Sequence, residues 1–96
     1  MINLSFQRAA EVIPRTGLAR ATFFSRIKQQ LWTPPVPLGP NSSGWPAHEV
    51  DALIAARLAG KSDDEIRAIV SNLVTKRGEI IAELGGAFLG PNGVAA

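Results

Sequence analysis

The side chains with the most evident binding chemistry lie in one short stretch, TGLARATFFSRIKQQ, which spans residues 16–30. At 3.6 residues per turn, Phe23, Phe24 and Ile27 fall on one stripe of a helix predicted from Arg20 to Gln30. The remaining faces carry hydroxyl, amide and cationic groups, which hydrogen-bond to base edges and phosphates of double-stranded DNA. The residues predicted to face bases are Thr22, Ser25, Arg26 and Gln29, and those predicted to meet phosphates are Arg20 and Lys28.

Two helices separated by a glycine turn are the elements expected to position these side chains. The first helix is predicted from about Ala9, after a short strand at residues 4–6. Pro14 is expected to limit it, because proline lacks an N–H and disfavours a helical conformation in the preceding residue. Gly17 then supplies the tight turn, since glycine adopts left-handed conformations at little cost. Such a pair is typical of the helix-turn-helix motif, whose second helix enters the major groove.

A proline-rich stretch, WTPPVPLGPNSSGWP at residues 32–46, follows the second helix. Its prolines exclude a helix, but proline is tolerated in edge strands. Two short edge strands, residues 36–38 and 44–45, are therefore predicted to form a small hairpin, or wing, around a GPNSS loop. The loop residues predicted to contact DNA are Asn41, Ser42 and Ser43.

A third helix is predicted from Pro46 to about Leu58, since proline fits the first turn of a helix. A capping box, with Ser62 as the cap and Glu65 three residues later, begins a fourth helix. Its apolar residues recur at steps of three and four. The apolar face that they form is larger than one winged domain needs for its own packing. This helix is therefore predicted to pair two subunits; the alternative is that it folds back across the first three helices of its own chain. The residues predicted to dimerise are Ile66, Ile69, Val70, Leu73, Val74, Ile80, Ile81 and Leu84.

The predicted organisation has three parts. Residues 1–60 form the DNA-binding domain, residues 61–86 form the dimerisation helix, and residues 87–96 form a flexible tail. A chain of 96 residues has room for one domain, which is marginally stable alone at this size, so a second subunit would stabilise it.

The composition argues against catalysis, cofactors and membrane insertion. There is no cysteine, and His48 is the single histidine, so neither a metal site nor another cofactor is predicted. Glu49 and Asp51 are neighbours in sequence but lie on different helical faces, so they do not form a general acid and base. No apolar run approaches the roughly 18 residues that a membrane span needs. The protein is expected to be a cytoplasmic non-enzyme.

The net charge of +2 is unevenly distributed along the chain. Residues 1–48 carry five basic side chains and one acidic side chain, which gives a net charge of +4. Residues 49–96 carry five basic and seven acidic side chains, which gives −2. The asymmetry indicates a front half that faces a polyanion.

Three segments carry a resemblance to a known family. RAAEVIPRTGLARATFFSRIK, then PVPLG and then GWPAHEVDALIAAR, are similar to the AlpA family of prophage regulators, over roughly residues 4–58. The resemblance implies a mainly α, MerR-like winged helix-turn-helix with a small β-hairpin wing. It places the recognition helix at Arg20 to Gln30 and the wing at residues 36–45. The fourth helix has no counterpart in this pattern and is an additional C-terminal element.

The chain departs from the family pattern at positions that matter for DNA binding. Ala19 stands where the family usually has serine, so the usual cap of the recognition helix is lost, at a cost of roughly 1 kcal/mol. Pro37 stands where a wing residue is usually basic. The wing contacts to phosphate are then expected to be neutral hydrogen bonds, which are weaker and less salt-dependent than charged ones.

The predicted function is that of a homodimeric, sequence-specific, double-stranded-DNA-binding transcriptional regulator of a phage or integrative element. One alternative has the same fold: an excisionase-like recombination directionality factor that binds direct repeats in tandem and directs a recombinase. A second alternative is a protein-interaction module that engages another regulator through the fourth helix.

Overall fold

Four helices and three short strands make up the part of the chain, residues 4–84, that the computed structural model describes. The predicted fold, mainly α with a small hairpin and an additional C-terminal helix, is confirmed. The elements are β1 (Phe6–Gln7), α1 (Ala9–Thr16), α2 (Arg20–Lys28), β2 (Val36–Gly39), β3 (Ser42–Pro46), α3 (Ala47–Leu58) and α4 (Asp63–Glu83).

Helix α1 continues through Pro14 to Thr16, so the expectation that Pro14 limits it is wrong. Proline here removes the bond from its own nitrogen to the Ala10 carbonyl, and its ring crowds that carbonyl, yet the helix continues for two more residues. The last turn is held in another way, because Thr16 Oγ1 donates to the Ile13 carbonyl at 2.7 Å. The residue that ends the helix is Gly17, whose φ of 72° lies in the left-handed region and whose N–H donates to the Pro14 carbonyl.

The three strands form an antiparallel sheet in the order β1-β3-β2. The hairpin of β2 and β3 is confirmed, but β3 is the central strand and not an edge as predicted. It pairs with β1 on its other side, where Trp45 lies opposite Gln7. Gly44 is tightly packed: a Cβ there would lie 3.0 Å from Leu38 Cδ1 and 3.1 Å from the Gln7 carbonyl oxygen, so any other residue would push these neighbours aside. The short strand predicted at residues 4–6 begins instead at Phe6.

Phe23 lies at the centre of the core and is fully buried, as its place on the apolar stripe of α2 predicts. Its ring meets the rings of Phe24, Trp32 and Trp45 edge-on, with centroids 5.2, 5.5 and 5.3 Å away. Such pairs contribute about 0.5–1.5 kcal/mol each beyond the area they bury. Trp45 Nε1 also donates to the Thr33 carbonyl at 2.9 Å. Helix α2, the segment after it and β3 are therefore fixed to one another.

Helix α4 is continuous through Gly78, and the predicted capping box is present. The Glu65 N–H donates to Ser62 Oγ at 3.2 Å, and the Ser62 N–H donates to Glu65 Oε1 at 3.0 Å. The pKa of Glu65 lies below its usual value. The main cause is the bond from the Ser62 backbone, followed by the bond from the Ser62 side chain and the nearby charge of Lys61. The helix stop predicted at residues 85–86 and the tail predicted at residues 87–96 lie outside the described residues.

A buried ion pair fastens α4 to the rest of the domain. The Glu49 side chain is fully buried, and Arg77 donates to both of its carboxylate oxygens at 2.7 Å. Arg77 also donates to the Pro34 carbonyl at 2.8 Å, in the segment before β2. Glu49 lies in the first turn of α3, where the helix dipole favours a negative charge. One side chain thereby joins α4, α3 and the base of the hairpin.

Candidate nucleic-acid interface

The polar face of α2, defined by Thr22, Ser25, Lys28 and Gln29, is exposed to solvent along the whole helix. Burial of Phe23 on the opposite side fixes the rotation of the helix and hence the direction of this face. Gln29 Nε2 donates to Ser25 Oγ at 3.1 Å, so two of the predicted base-facing side chains lie side by side. The stretch is helical and its polar side is not covered by the described protein, as the DNA-binding prediction requires.

The two ends of α2 are held differently. At the first turn, Ala19 makes no side-chain cap bond, in agreement with the loss of the usual serine. The Arg20 guanidinium lies 5.1 Å from the centroid of the Phe24 ring, a contact that contributes about 0.5–1 kcal/mol at an exposed site. At the other end the helix stops two residues earlier than predicted, because Gln30 has a φ of 63° and cannot continue it.

Arg67 of α4 closes the C-terminal end of α2. Its Nε donates to the Gln29 carbonyl at 3.0 Å, and its guanidinium also pairs with Asp64 at 3.2 Å. A cation at this position satisfies a free carbonyl and opposes the negative end of the helix dipole. Sequence reasoning missed this residue, since the two partners are 38 positions apart and no local pattern links them.

Arg26 does not lie on the polar face; it is half-buried and lines a groove at the flank of α2. Two further arginines that sequence reasoning did not select, Arg15 and Arg57, line the same groove, from the last turns of α1 and α3. Arg15 is held there by bonds to Gln7 Oε1 at 2.7 Å and Asp51 Oδ1 at 2.6 Å. This arginine groove has a volume of about 380 Å³, and its other lining residues are Thr16, Leu18, Leu31, Trp32, Ile54 and Leu58.

Of the predicted wing residues, Asn41 lies in the turn of the β2–β3 hairpin, and Ser42 and Ser43 are the first residues of β3. Asn41 and Ser43 are exposed, whereas Ser42 is half-buried. No charged side chain occurs between Lys28 and Glu49, so this hairpin can offer a phosphate only neutral donors.

The predicted dimerisation residues divide into covered and uncovered groups. Ile66 and Val70 are buried in the core of the chain itself, with 1% and 6% exposure, which removes them from a contact between subunits. Ile69 and Leu73 are partly buried against that core, and Ile80 is half-buried. The physical reason is that α4 packs across α3, and helical periodicity does not reveal what covers an apolar stripe. The members of the predicted set that stay exposed are Val74, Ile81 and Leu84.

Residues 4–84 contain neither a metal-binding cluster nor a helix that could span a membrane. Within that range no group of three or more histidine or acidic side chains is placed to hold a metal ion. None of the helices described is both long and apolar enough to cross a bilayer.

The elements from β1 to α3 define a winged helix-turn-helix: α1 and α2 form the two-helix motif, and the β2–β3 hairpin is the wing. The chain belongs to the AlpA family of prophage regulatory proteins. The family model described as prophage CP4-57 regulatory protein (AlpA) matches residues 5–58, which is more than half of the chain. The resemblance seen in the sequence is thereby confirmed. Helix α4 begins after the matched region and is additional to it.

A phage protein is also similar to this chain. The uncharacterized protein ORF88 of Enterobacteria phage P4 is 38% identical over 56 residues, which cover 58% of this chain and 64% of ORF88. The match therefore spans somewhat less than two thirds of that relative's length. No solved structure matches the chain significantly.

Proposed function

We propose that the protein is a sequence-specific, double-stranded-DNA-binding transcriptional regulator of a phage or integrative element. The observation that carries this proposal is the exposed polar face of α2, held outward by the buried Phe23. A helix fits the major groove of B-DNA, which is about 12 Å wide. Membership of a prophage regulatory family supports a regulatory role on DNA.

The side chains of α2 divide by their chemistry. Ser25 and Gln29 supply donors and acceptors for base edges, and an amide such as that of Gln29 can bond adenine in a bidentate manner. Thr22 offers a hydroxyl one turn earlier, near the start of the helix, where winged proteins make their base contacts. Lys28, exposed at the end of α2, is suited to a phosphate, and so is Arg20 at its start.

The wing has a secondary role in this proposal. Asn41 and Ser43 are exposed at the tip of the hairpin and can donate neutral hydrogen bonds to a phosphate of the neighbouring backbone. Because these contacts carry no charge, they release no counterions, and replacing them would leave the salt dependence of binding unchanged.

Two subunits are proposed to act together, with the exposed part of α4 joining them. A symmetric homodimer on DNA would bind inverted half-sites about one helical turn apart, or a multiple of that distance. The exposed apolar side chains Val74, Ile81 and Leu84 support a contact between subunits, because uncovered apolar side chains on one helix mark interaction surfaces.

The test begins with selection of binding sites by the full chain from a library of random duplexes. Gln29→Ala is expected to relax the preference at one position of the recovered motif by about 1–3 kcal/mol. Lys28→Ala is expected to weaken all sequences alike and to lower the salt slope by about 1. Lys76→Ala, which removes an exposed lysine on α4, is the matched control and should leave the affinity unchanged.

Binding of both α2 variants with wild-type affinity and preference would contradict the assignment of this face. The arrangement of the recovered half-sites distinguishes the alternatives of similar fold: inverted repeats fit the regulator, and direct repeats fit the excisionase-like factor. Failure of the wild-type chain to bind any duplex or heparin at low salt would instead favour the protein-interaction module.

A further inference from the structure

The C-terminal end of α4, residues 78–84, here called the α4 tip, is acidic and amphipathic. Glu79 and Glu83 are exposed, and the last turn contains no basic residue. Acidic side chains at the C-terminal end of a helix are unfavourable, because they repel the negative end of the helix dipole. Ile81 and Leu84 are exposed beside them, with 47% and 50% of their surface accessible. The tip thus lacks both a cation and an apolar cover in the described part of its own chain.

The arginine groove has the complementary properties. Of the described residues, three arginines and no carboxylate line it, beside aliphatic side chains. Two of these arginines pair with carboxylates outside the lining, Arg15 with Asp51 at 2.6 Å and Arg57 with exposed Asp63 at 3.4 Å. Arg26 makes no ion pair with any residue of the described range 4–84. Leu58, at the rim, is 84% exposed, the highest value among the large apolar side chains described. A ligand that presents carboxylates beside aliphatic side chains would match both features of this groove.

The tip cannot occupy the groove of its own chain. Ile80 lines a different groove, together with Phe6 and Val36, on the side of β1 and β2. The arginine groove is built from the α1–α2 region and α3, and no described residue of α4 lines it. Contact between tip and groove therefore requires two molecules.

We propose that the arginine groove binds the α4 tip of a second copy of this chain. Glu79 and Glu83 of the second copy meet Arg26 and Arg57, and its Leu84 or Ile81 covers Leu58. The contact deepens the proposed function, because it names the surface that α4 engages when it joins subunits. It also accounts for the charge split along the chain, since a basic front half and an acidic rear half then meet across the interface.

Charge reversal tests the contact. The full chain is examined by analytical ultracentrifugation over a range of concentrations, without DNA. Arg57→Glu and Glu83→Arg should each weaken self-association by at least about tenfold, and the double variant should recover it, because the ion pair is restored in reversed order. Lys76→Glu reverses an exposed charge on α4 outside the groove and should have no effect. Added salt should weaken the association of the wild type.

Several results would overturn the proposal: a wild-type chain that stays monomeric, single variants that associate like the wild type, or a double variant that fails to recover association. Far-UV circular dichroism of each variant establishes that it is folded, and Arg57→Gln repeats the test with a milder change.

DNA binding is measured in parallel. If Arg57→Glu weakens DNA binding while self-association is unchanged, the groove contacts phosphate, and the proposal fails while the proposed function stands. If association behaves as expected but Gln29→Ala binds DNA normally, the proposed use of α2 fails and the contact stands.

Discussion

Replacement of Arg77 by methionine is expected to destabilise the protein more than any exposed charge change. Glu49 is fully buried, and Arg77 neutralises it with two bonds of 2.7 Å. Methionine fills a similar space but leaves the carboxylate without its partner and the Pro34 carbonyl without its donor. Removing one partner of a buried ion pair costs about 3–5 kcal/mol, because the remaining charge is uncompensated.

That cost is large relative to the stability of a small domain, which is typically about 5–15 kcal/mol. For a chain of this size each kcal/mol shifts the melting temperature by about 4–8 °C, so Arg77→Met should lower it by about 12–40 °C. The free energy of unfolding is measured by urea titration followed by far-UV circular dichroism, at a protein concentration low enough to avoid self-association.

Two further variants make the measurement interpretable. Lys61→Met removes one partner of an exposed pair with Glu65, separated by 3.8 Å, and should cost less than about 1 kcal/mol. Arg77→Met combined with Glu49→Leu removes both charges and should recover much of the lost stability. If Arg77→Met costs no more than Lys61→Met, the buried pair does not compensate Glu49 and the reasoning is refuted.

Three smaller predictions concern the helix ends. Ala19→Ser should raise the free energy of unfolding by about 1 kcal/mol by restoring a cap to α2, and an unchanged urea midpoint would contradict this. Gln30→Gly should stabilise the protein by about 0.5–1 kcal/mol, since the φ of 63° suits glycine, and a lower melting temperature would show that the side chain contributes more than the strain costs. Because the folded-state pKa of Glu65 lies below its usual value of 4.5, its carboxylate contributes stability above that pH, and the contribution is lost as the pH falls through the folded-state pKa. The difference in melting temperature between wild type and Glu65→Gln should therefore be largest near neutral pH and shrink in acid.

Local patterns predicted most of the fold because they depend on residues within a few positions of one another. The three- and four-residue spacing of Phe23, Phe24 and Ile27 predicted the position of α2. The capping box predicted the start of α4 to within one residue. The hairpin was predicted because prolines exclude a helix and the GPNSS loop favours a turn, and both effects are local. The outward direction of Thr22, Ser25 and Gln29 followed from the same periodicity, since the side opposite a buried stripe of a surface helix is solvated.

The failures of prediction have a common cause in tertiary packing. The central place of β3 depends on pairing with β1, about 40 residues earlier in the chain. The stripe of α4 was predicted to meet another molecule, but Ile66 and Val70 lie in the core of this one. Apolar spacing shows that a face is covered, and it does not show by what.

By itself, the sequence determined the helices, the hairpin and the polar face of α2, because these follow from short-range sterics, capping and periodicity, and its motifs determined the family. Only the tertiary structure decided which charges meet. Arg77 reaches Glu49 across 28 positions, Arg67 reaches the end of α2 across 38, and Arg26 joins Arg15 and Arg57 in one groove. These contacts depend on the angles at which the helices cross. The packing of the whole core sets those angles, so no single segment of the sequence predicts them.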